Sequence, residues 1–204
     1  MRMVDINSRF ERVIQGSFVE SLSLRGFERN GNQFYLKSGR VGKLLTIERD
    51  PDHTHYRQIV IFTIDVYITS DDFWELHHAD KSYPTFPFQG YPYSVLHRHL
   101  GLFYGKQRGS QWLALDATMP EQTMITFLRD LLSTRILPYL DRINSIDAIL
   151  TELKAPSIYR VRMLAWLGRP DQAYGELTKL IASRHQKSFR IGLVNLAKHI
   201  GILD

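Results

Sequence analysis

The stretch "RQIVIFTIDVYIT", residues 57–69, decides the fold class that the sequence predicts. Apolar side chains fill every second position along one face of this stretch: Val60, Phe62, Ile64, Val66 and Ile68. The opposite face mixes apolar and polar side chains: Ile59, Ile61, Thr63, Asp65 and Tyr67. Alternation with a period of two residues is typical of a β-strand. The stretch therefore predicts a central strand that has one face fully covered.

Shorter strand patterns lie on both sides of this stretch. Asn30-Gly31 is a strong turn signal before a strand that carries Phe34 and Leu36, and "GKLLTIER" is a further strand. Later, "VLHRHLGLFYG" and "QWLALD" are separated by the polar turn "KQRGS". We expect these two segments to form a hairpin, in a sheet that is mostly antiparallel.

Helical patterns precede and follow the strands. Ser8 and Glu11 form a capping-box pattern, and apolar residues then recur every three or four positions, which predicts a helix over 8–24. A second apolar stripe begins after Pro120 and continues until Pro138 interrupts it. Further helices are predicted near 145–153, 157–167, 170–184 and 187–201.

Together these patterns predict an α+β fold. Residues 1–118 form an N-terminal helix packed on a mostly antiparallel sheet of about five strands, and residues 119–204 form an all-helical C-terminal region packed on it. The apolar content of 44% is enough for a buried core. We expect the two parts to make one structural unit.

The order of these elements also resembles a known bacterial family. A helix that ends in "LSLRGFERNGNQFY", then strands with "HLGLF" and "QWLALD", then a helix that leads to "ILPYLDRINSIDAIL", is similar to the bacterial domain of unknown function 4304 family over about residues 8–153. The most specific part is the segment from Leu24, Gly26 and Phe27 to Asn32 and Phe34. The resemblance implies no assigned activity. It does imply a bacterial protein whose relatives suggest immunity or toxin–antitoxin roles.

The composition and the missing motifs exclude several classes of site. The chain has no cysteine, so disulfides, zinc–thiolate sites, iron–sulfur clusters and cysteine nucleophiles are ruled out. It has no G-x-S-x-G, G-x-x-x-x-G-K-[ST], G-x-G-x-x-G or H-E-x-x-H motif. The N-terminus does not look like a secretory signal, and no window has about 18 consecutive apolar residues. We expect a cytoplasmic protein without a cofactor and without a membrane partner.

The positive charge is concentrated in the last quarter of the chain. Residues 1–154 contain 18 Lys/Arg and 18 Asp/Glu, whereas residues 155–204 contain 8 and 3, which accounts for the net +5. A basic region of this kind can bind nucleic acid or an acidic protein. The apolar residues of the helix at 187–201 wrap around much of its surface. This pattern favours a helix that packs against protein over one that binds in a nucleic-acid groove. Nucleic-acid binding is therefore the less favoured alternative.

An aromatic, proline-rich stretch is the main candidate for a contact surface. "YPTFPFQGYPY", residues 83–93, holds five aromatic rings and three prolines. Its rings either fill the edge of the core or anchor a partner. Our first hypothesis is a non-catalytic protein-binding module of the immunity or regulatory kind, with an acidic partner. The proposed contact residues are apolar anchors and steering charges: Trp74, Phe86, Phe88, Tyr91, Tyr93, Arg184, Lys187 and Arg190.

The alternative from another class is a metal-assisted hydrolase. His97 and His99 lie two residues apart on a predicted strand, so both side chains project from the same face and can hold one metal ion. The ordinary alternative is a pair of partly exposed histidines with no ligand. Carboxylates for such a site would come from the predicted loop "SDDFWELHHADK", residues 70–81. Its candidate ligands are Asp71, Asp72, Glu75, His77, His78 and Asp80.

Overall fold

The computed structural model has the predicted α+β architecture. The structure describes residues 5–50, 58–78, 83–88, 94–104, 111–153, 155–183, 187–199 and 201. An N-terminal helix is followed by an antiparallel sheet and then by C-terminal helices, as the sequence predicts.

The strands are β1 (Glu28–Asn30), β2 (Gln33–Ser38), β3 (Val41–Arg49), β4 (Ile59–Ser70), β5 (Leu96–His99) and β6 (Leu113–Asp116). The helices of the first half are α1 (Ile6–Ile14), α2 (Glu20–Ser23), α3 (Asp71–His77) and α4 (Leu100–Phe103). Those of the second half are α5 (Glu121–Leu131), α6 (Leu137–Arg142), α7 (Ile146–Glu152), α8 (Ile158–Trp166), α9 (Pro170–Ala182) and α10 (Lys187–His199). Two π-helical turns, Gln15–Val19 and Leu132–Ile136, join α1 to α2 and α5 to α6.

Strand β4 is the centre of the sheet, as the alternation in residues 57–69 predicts. The strand order is β1-β2-β3-β4-β5, and β6 also pairs with β4. Every pairing is antiparallel. Phe62 is opposite Arg49 of β3 and also opposite Leu113 of β6, so β3 and β6 occupy different edges of β4. The predicted hairpin between the last two strands is therefore wrong, because β5 and β6 each pair with β4, and residues 100–103 form α4.

The even-numbered face of β4 forms the core with the helices of its unit. Phe10 of α1 contacts Phe62 edge-on, with ring centroids 5.2 Å apart, and both are fully buried. Helix α5 is held against α1 by Glu121, whose carboxylate pairs with Arg9 at 3.3 Å and with Arg12 at 2.6 Å. We call the surface of the sheet that carries the even-numbered residues of β4, and that these helices cover, the apolar face. Thr63, Asp65 and Tyr67 project from the opposite, polar face of β4, and they are buried as well.

Several local predictions need correction. Helix α1 begins at Ile6 and not at Ser8, because the Asp5 carboxylate accepts hydrogen bonds from the backbone N–H groups of Asn7 and Ser8, which also lower the pKa of Asp5. Residues 71–77, predicted as a loop, form helix α3. The helix after Pro120 continues past Pro138, because the π-helical turn Leu132–Ile136 leads directly into α6 and changes the hydrogen-bond pattern immediately before the proline.

The chain divides into two compact units. The first comprises residues 1–70 and 84–144 and contains the sheet, and the second comprises residues 71–83 and 145–204 and is helical. The helical unit has its own apolar core, which includes Val161, Leu177, Leu180, Leu193 and Ala197. Along the described ranges, no helix combines the length and the apolar composition that crossing a bilayer requires.

A buried lysine lies on the apolar face of the sheet. Lys43 of β3 is directly opposite Ile68 of β4 and Leu36 of β2, and only 6% of it is exposed. Burial lowers the pKa of the Lys43 amine, since the charged form loses its hydration, and the nearby charge of Asp141 only partly offsets this effect. The fold therefore tolerates an unfavourable charge inside its main sheet.

We expect Lys43→Met to stabilise the protein near neutral pH. The unfolded chain keeps a hydrated ammonium up to the ordinary lysine pKa of about 10.4. The folded chain must bury the charge or release the proton, so it binds fewer protons, and its stability rises with pH between the lowered and the ordinary pKa. Methionine removes this penalty of roughly 1–3 kcal/mol. Urea unfolding should show a gain at pH 7 that shrinks towards pH 10, whereas the exposed Lys179→Met should show none.

Gly42→Ala tests the closest approach in the sheet. A Cβ atom at Gly42 would lie 2.5 Å from the Tyr35 hydroxyl and still closer to the Thr69 hydroxyl. We expect a loss of about 1–3 kcal/mol from overpacking, measured by urea unfolding. Gly175→Ala is the matched control, because no atom lies within 4 Å of its added Cβ in helix α9. Equal midpoints for Gly42→Ala and the wild type would contradict the packing of this region.

Candidate metal centre

Three potential metal ligands meet on the polar face of the sheet. Asp65 of β4 is directly opposite His99 of β5, and His97 is opposite Tyr67, two residues further along. Paired residues in an antiparallel sheet share a face, and so do alternate residues along one strand. The register therefore brings one carboxylate and two imidazoles to the same place.

The donor atoms of these three residues converge closely. The Asp65 Oδ1 atom lies 2.9 Å from His97 Nε2 and 2.5 Å from His99 Nδ1. The two imidazole ring centroids are 4.0 Å apart. One ligand atom from each residue lies within 4.8 Å of the other two. We call Asp65, His97 and His99 the Asp–His–His cluster.

Burial makes the Asp65 carboxylate depend on these neighbours. Its side chain is 3% exposed, whereas His97 is 33% and His99 43% exposed. A buried carboxylate needs a positive partner, because it has lost its hydration. Among the described residues, both ion-pair contacts of Asp65 are to histidine nitrogens. The cluster can supply positive charge only through imidazolium or through a bound cation.

The contact between His99 and Asp65 is close but is not a hydrogen bond. The Nδ1 atom of His99 is buried and has no hydrogen-bond partner among the described residues, although it lies 2.5 Å from the Asp65 carboxylate. The two atoms are close, but they do not have hydrogen-bonding geometry. His97, by contrast, forms a hydrogen bond with the carboxylate at 2.9 Å.

Neighbouring side chains hold the His97 ring in place. The Tyr67 ring stacks on it, with centroids 4.2 Å apart and an interplanar angle of 11°. The Tyr67 hydroxyl donates to Glu48 at 3.4 Å, and so does the hydroxyl of Thr46, which lies opposite Asp65 on β3. The cluster thus lies on β4 and β5 and is supported from β3, and rigid strands position ligands better than loops.

The donor set suits a divalent transition metal. Imidazole nitrogen and carboxylate oxygen bind zinc and the metals near it at about 2.0–2.2 Å. Tetrahedral ligands at that distance are about 3.3 Å apart, so the two spacings between Asp65 and the histidine nitrogens must open by less than about 1 Å to admit an ion. Three protein ligands of which two are partly exposed leave positions open to solvent, as in catalytic sites.

The sequence predicted only part of this cluster. It placed His97 and His99 on one face of a strand, as the structure has them. The carboxylate beside them comes from Asp65 and not from residues 70–81. Asp71, Asp72, Glu75 and His77 lie in α3 of the helical unit, and Asp80 is outside the described residues. The one available signal was that Asp65 is the single charged residue between Ile59 and Thr69.

His77 is itself a half-buried side chain of the helical unit. Its ring contacts Phe73 at 4.5 Å between centroids and Tyr159 at 6.3 Å. Burial lowers the pKa of His77, and the charges of Arg162 and His78 add to the effect. It is therefore set among aromatic rings and positive charge, which is a poor environment for a cation.

The aromatic stretch contacts the protein itself where it is described. Phe86 stacks on Tyr35 with centroids 5.4 Å apart, and Phe88 meets Tyr35 edge-on at 5.0 Å. Phe88 is only 8% exposed and Phe86 is half-buried. The sequence predicts that the stretch either fills the edge of the core or anchors a partner. The positions of these two rings agree with core filling. Tyr91 and Tyr93 lie outside the described residues.

The other predicted contact residues belong to the helical unit. Trp74 is half-buried in α3 and contacts His78 and Tyr83, with centroids 4.3 and 5.7 Å away. Arg184 lies outside the described residues, and Lys187 and Arg190 lie in α10 with side chains that are likewise outside them.

Two exposed aromatic residues escaped the sequence analysis. Tyr159 is 51% exposed and Trp166 is 48% exposed, and both lie in α8. They are seven residues apart, which places them on the same side of a helix, two turns from each other. This segment has only a weak amphipathic pattern, and an aromatic residue at helical spacing is more often part of a core. No sequence signal therefore identified these two residues as exposed.

Comparisons with protein-family models, with curated proteins and with solved structures found no match to this chain. The resemblance to the domain of unknown function 4304 family stays a prediction. The function must therefore be argued from the geometry of the site.

Proposed function

We propose that this protein binds one divalent transition-metal ion through Asp65, His97 and His99 and uses it to assist hydrolysis. The observation that carries the proposal is the convergence of the buried Asp65 carboxylate with two histidine nitrogens, one of which has no hydrogen-bond partner among the described residues. Zinc is the first candidate, because this donor set matches its preferences.

An ion explains this arrangement better than an imidazolium–carboxylate pair does. A simple pair needs one histidine, and His97 already fulfils that role with a hydrogen bond at 2.9 Å. The second histidine then gains little, and its Nδ1 atom remains buried beside the carboxylate without hydrogen-bonding geometry. A cation between the three donor atoms would satisfy all of them and neutralise the buried charge.

The exposure of the two histidines favours catalysis over a purely structural ion. Structural zinc sites are closed by four protein ligands, whereas catalytic sites have three and keep a position for water. The cluster offers three ligands among the described residues, with both imidazoles open in part to solvent. A zinc ion lowers the pKa of its bound water to about 7, which makes hydroxide available as a nucleophile. Hydrolysis is the reaction class that needs the fewest further groups.

Metal titration of the purified, untagged protein tests the proposal. We expect one Co²⁺ ion per chain, detected by its visible absorption, and displacement by Zn²⁺. Zn²⁺ at about 100 times its dissociation constant should raise the free energy of unfolding by about 2.7 kcal/mol. His99→Ala and Asp65→Asn should each weaken binding at least tenfold, because each removes one of three ligands.

His78→Ala is the matched control, since it removes a histidine that lies outside the cluster. It should bind metal as the wild type does. Circular dichroism must show that each variant is folded. A wild type that takes up no ion, or a His99→Ala variant with unchanged affinity, would overturn the proposal.

The helical unit supports a second candidate function, the binding of an acidic protein partner. Tyr159 and Trp166 are half-exposed on one side of α8. The region that contains them, residues 155–204, carries 8 Lys/Arg against 3 Asp/Glu. Aromatic and arginine side chains are enriched where interfaces gain most of their energy. This surface replaces the aromatic stretch as the proposed site of contact.

We expect an acidic protein, captured from the host and then purified, to bind the wild type in a salt-sensitive manner. Replacing both Tyr159 and Trp166 by alanine should weaken that binding at least tenfold, since aromatic anchors often contribute 2 kcal/mol or more each. Tyr174→Ala is the control, because Tyr174 is 52% exposed but belongs to α9. Equal affinities of the double variant and the wild type, measured by calorimetry, would count against this surface.

A further inference from the structure

A small pocket lies on the apolar face of the sheet, inside the first unit. Its volume is about 200 Å³. The lining combines apolar side chains with three charged ones: Arg25, Phe27, Leu36, Lys43, Leu137, Leu140 and Asp141. At about 30 Å³ for each water molecule, the space suits a ligand of about six or seven non-hydrogen atoms.

The charged residues of this pocket are not equivalent. Arg25 and Asp141 pair with each other, with Nη1–Oδ distances of 3.0 and 2.9 Å, and both are largely exposed. Lys43 is buried, and no hydrogen bond or ion pair within the described part of the chain involves it. The pocket is therefore lined by a lysine that has lost most of its exposed surface and that no described side chain contacts through a hydrogen bond or an ion pair.

Such an environment increases the share of the neutral form of an amine. Burial lowers the pKa of Lys43, and the positive charge of Arg25 contributes in the same direction. A neutral lysine amine has a free lone pair and is a nucleophile, which is how desolvated lysines react with carbonyl compounds. The walls formed by Phe27, Leu36, Leu137 and Leu140 suit a short apolar body on the ligand.

We propose that this pocket binds a small aldehyde or ketone and that the Lys43 amine forms an imine with it. The nitrogen lone pair forms a bond to the carbonyl carbon, and the carbonyl oxygen leaves as water. Both hydrogens of that water come from the amine, so the step needs no oxidant or reductant. Asp141, whose charge acts on the Lys43 amine, is the one carboxylate among the residues that line the pocket.

This inference is independent of the metal proposal. Lys43 lies on the apolar face of β3, whereas Asp65 and the two histidines lie on the polar face of β4 and β5. A failure of metal binding therefore leaves the pocket proposal intact, and a failure of imine formation leaves the metal proposal intact.

Reductive trapping tests the proposal directly. The wild-type protein is incubated at pH 7 with butyraldehyde and cyanoborohydride, and the modified lysines are mapped by mass spectrometry over time. We expect Lys43 to be alkylated at least tenfold faster than the exposed Lys179 and Lys198. Labelling of Lys43 at the same rate as these lysines, or more slowly, overturns the proposal.

Two further arms separate pocket chemistry from general reactivity. Leu36→Phe fills part of the pocket and keeps the amine, so it should slow labelling of Lys43 and leave Lys179 unchanged. Unchanged labelling of Lys43 in this variant, shown to be folded by its thermal melt, contradicts a role for the pocket.

Butyrate, added as a competitor, should protect Lys43 poorly against labelling by the aldehyde. Protection by butyrate together with no labelling by the aldehyde would mean that the pocket binds anions, which also overturns the proposal.

Discussion

The antiparallel pairing of β4 with β3 on one edge, and with β5 and β6 on the other, is the constraint on which the rest of the structure depends. A strand that is hydrogen-bonded on both edges has one register with each neighbour, and a shift by one residue would turn every side chain to the opposite face. The register with β5 places His99 opposite Asp65. The register with β3 places Lys43 opposite Ile68, on the face that the helices cover. Both candidate sites are therefore consequences of strand pairing.

Two ionisable residues are thus buried on opposite faces of one sheet, and they differ in how far neighbouring charges offset the cost of burial. Asp65 meets two imidazoles, so its burial is at least partly offset. Lys43 has apolar neighbours in the sheet, Ile68 and Leu36, and two nearby charges of opposite sign, Asp141 and Arg25, among the residues that line the pocket. Burial of an amine that is only partly compensated reduces stability, and sites of that kind are where local rules of folding are most often broken for function.

The sequence predicted the elements with strong periodicity and missed those that depend on register. The alternation of Val60, Phe62 and Ile64 identified β4, and the spacing of apolar residues located the C-terminal helices to within a few residues. Strands β5 and β6 have four residues each, too few for a periodic signal, so their shared partner could not be foreseen. Asp65 and His97 are 32 residues apart, and only the register joins them. No sequence pattern distinguished Lys43, because nothing local tells which face of β3 the helices cover.

The ligands of the two sites are expected to change the buried charge in opposite ways. A cation at the Asp–His–His cluster would add positive charge beside a buried carboxylate, so the bound state gains electrostatic energy that an unfolded chain lacks, and stability rises with metal concentration. An imine at Lys43 would convert an amine that can be protonated into a group with a lower affinity for protons, which reduces the penalty of burial. In the first case the ligand supplies a missing charge, and in the second it removes an unwanted one. Both follow from one property of the sheet, which is that it buries an ionisable side chain on each of its two faces.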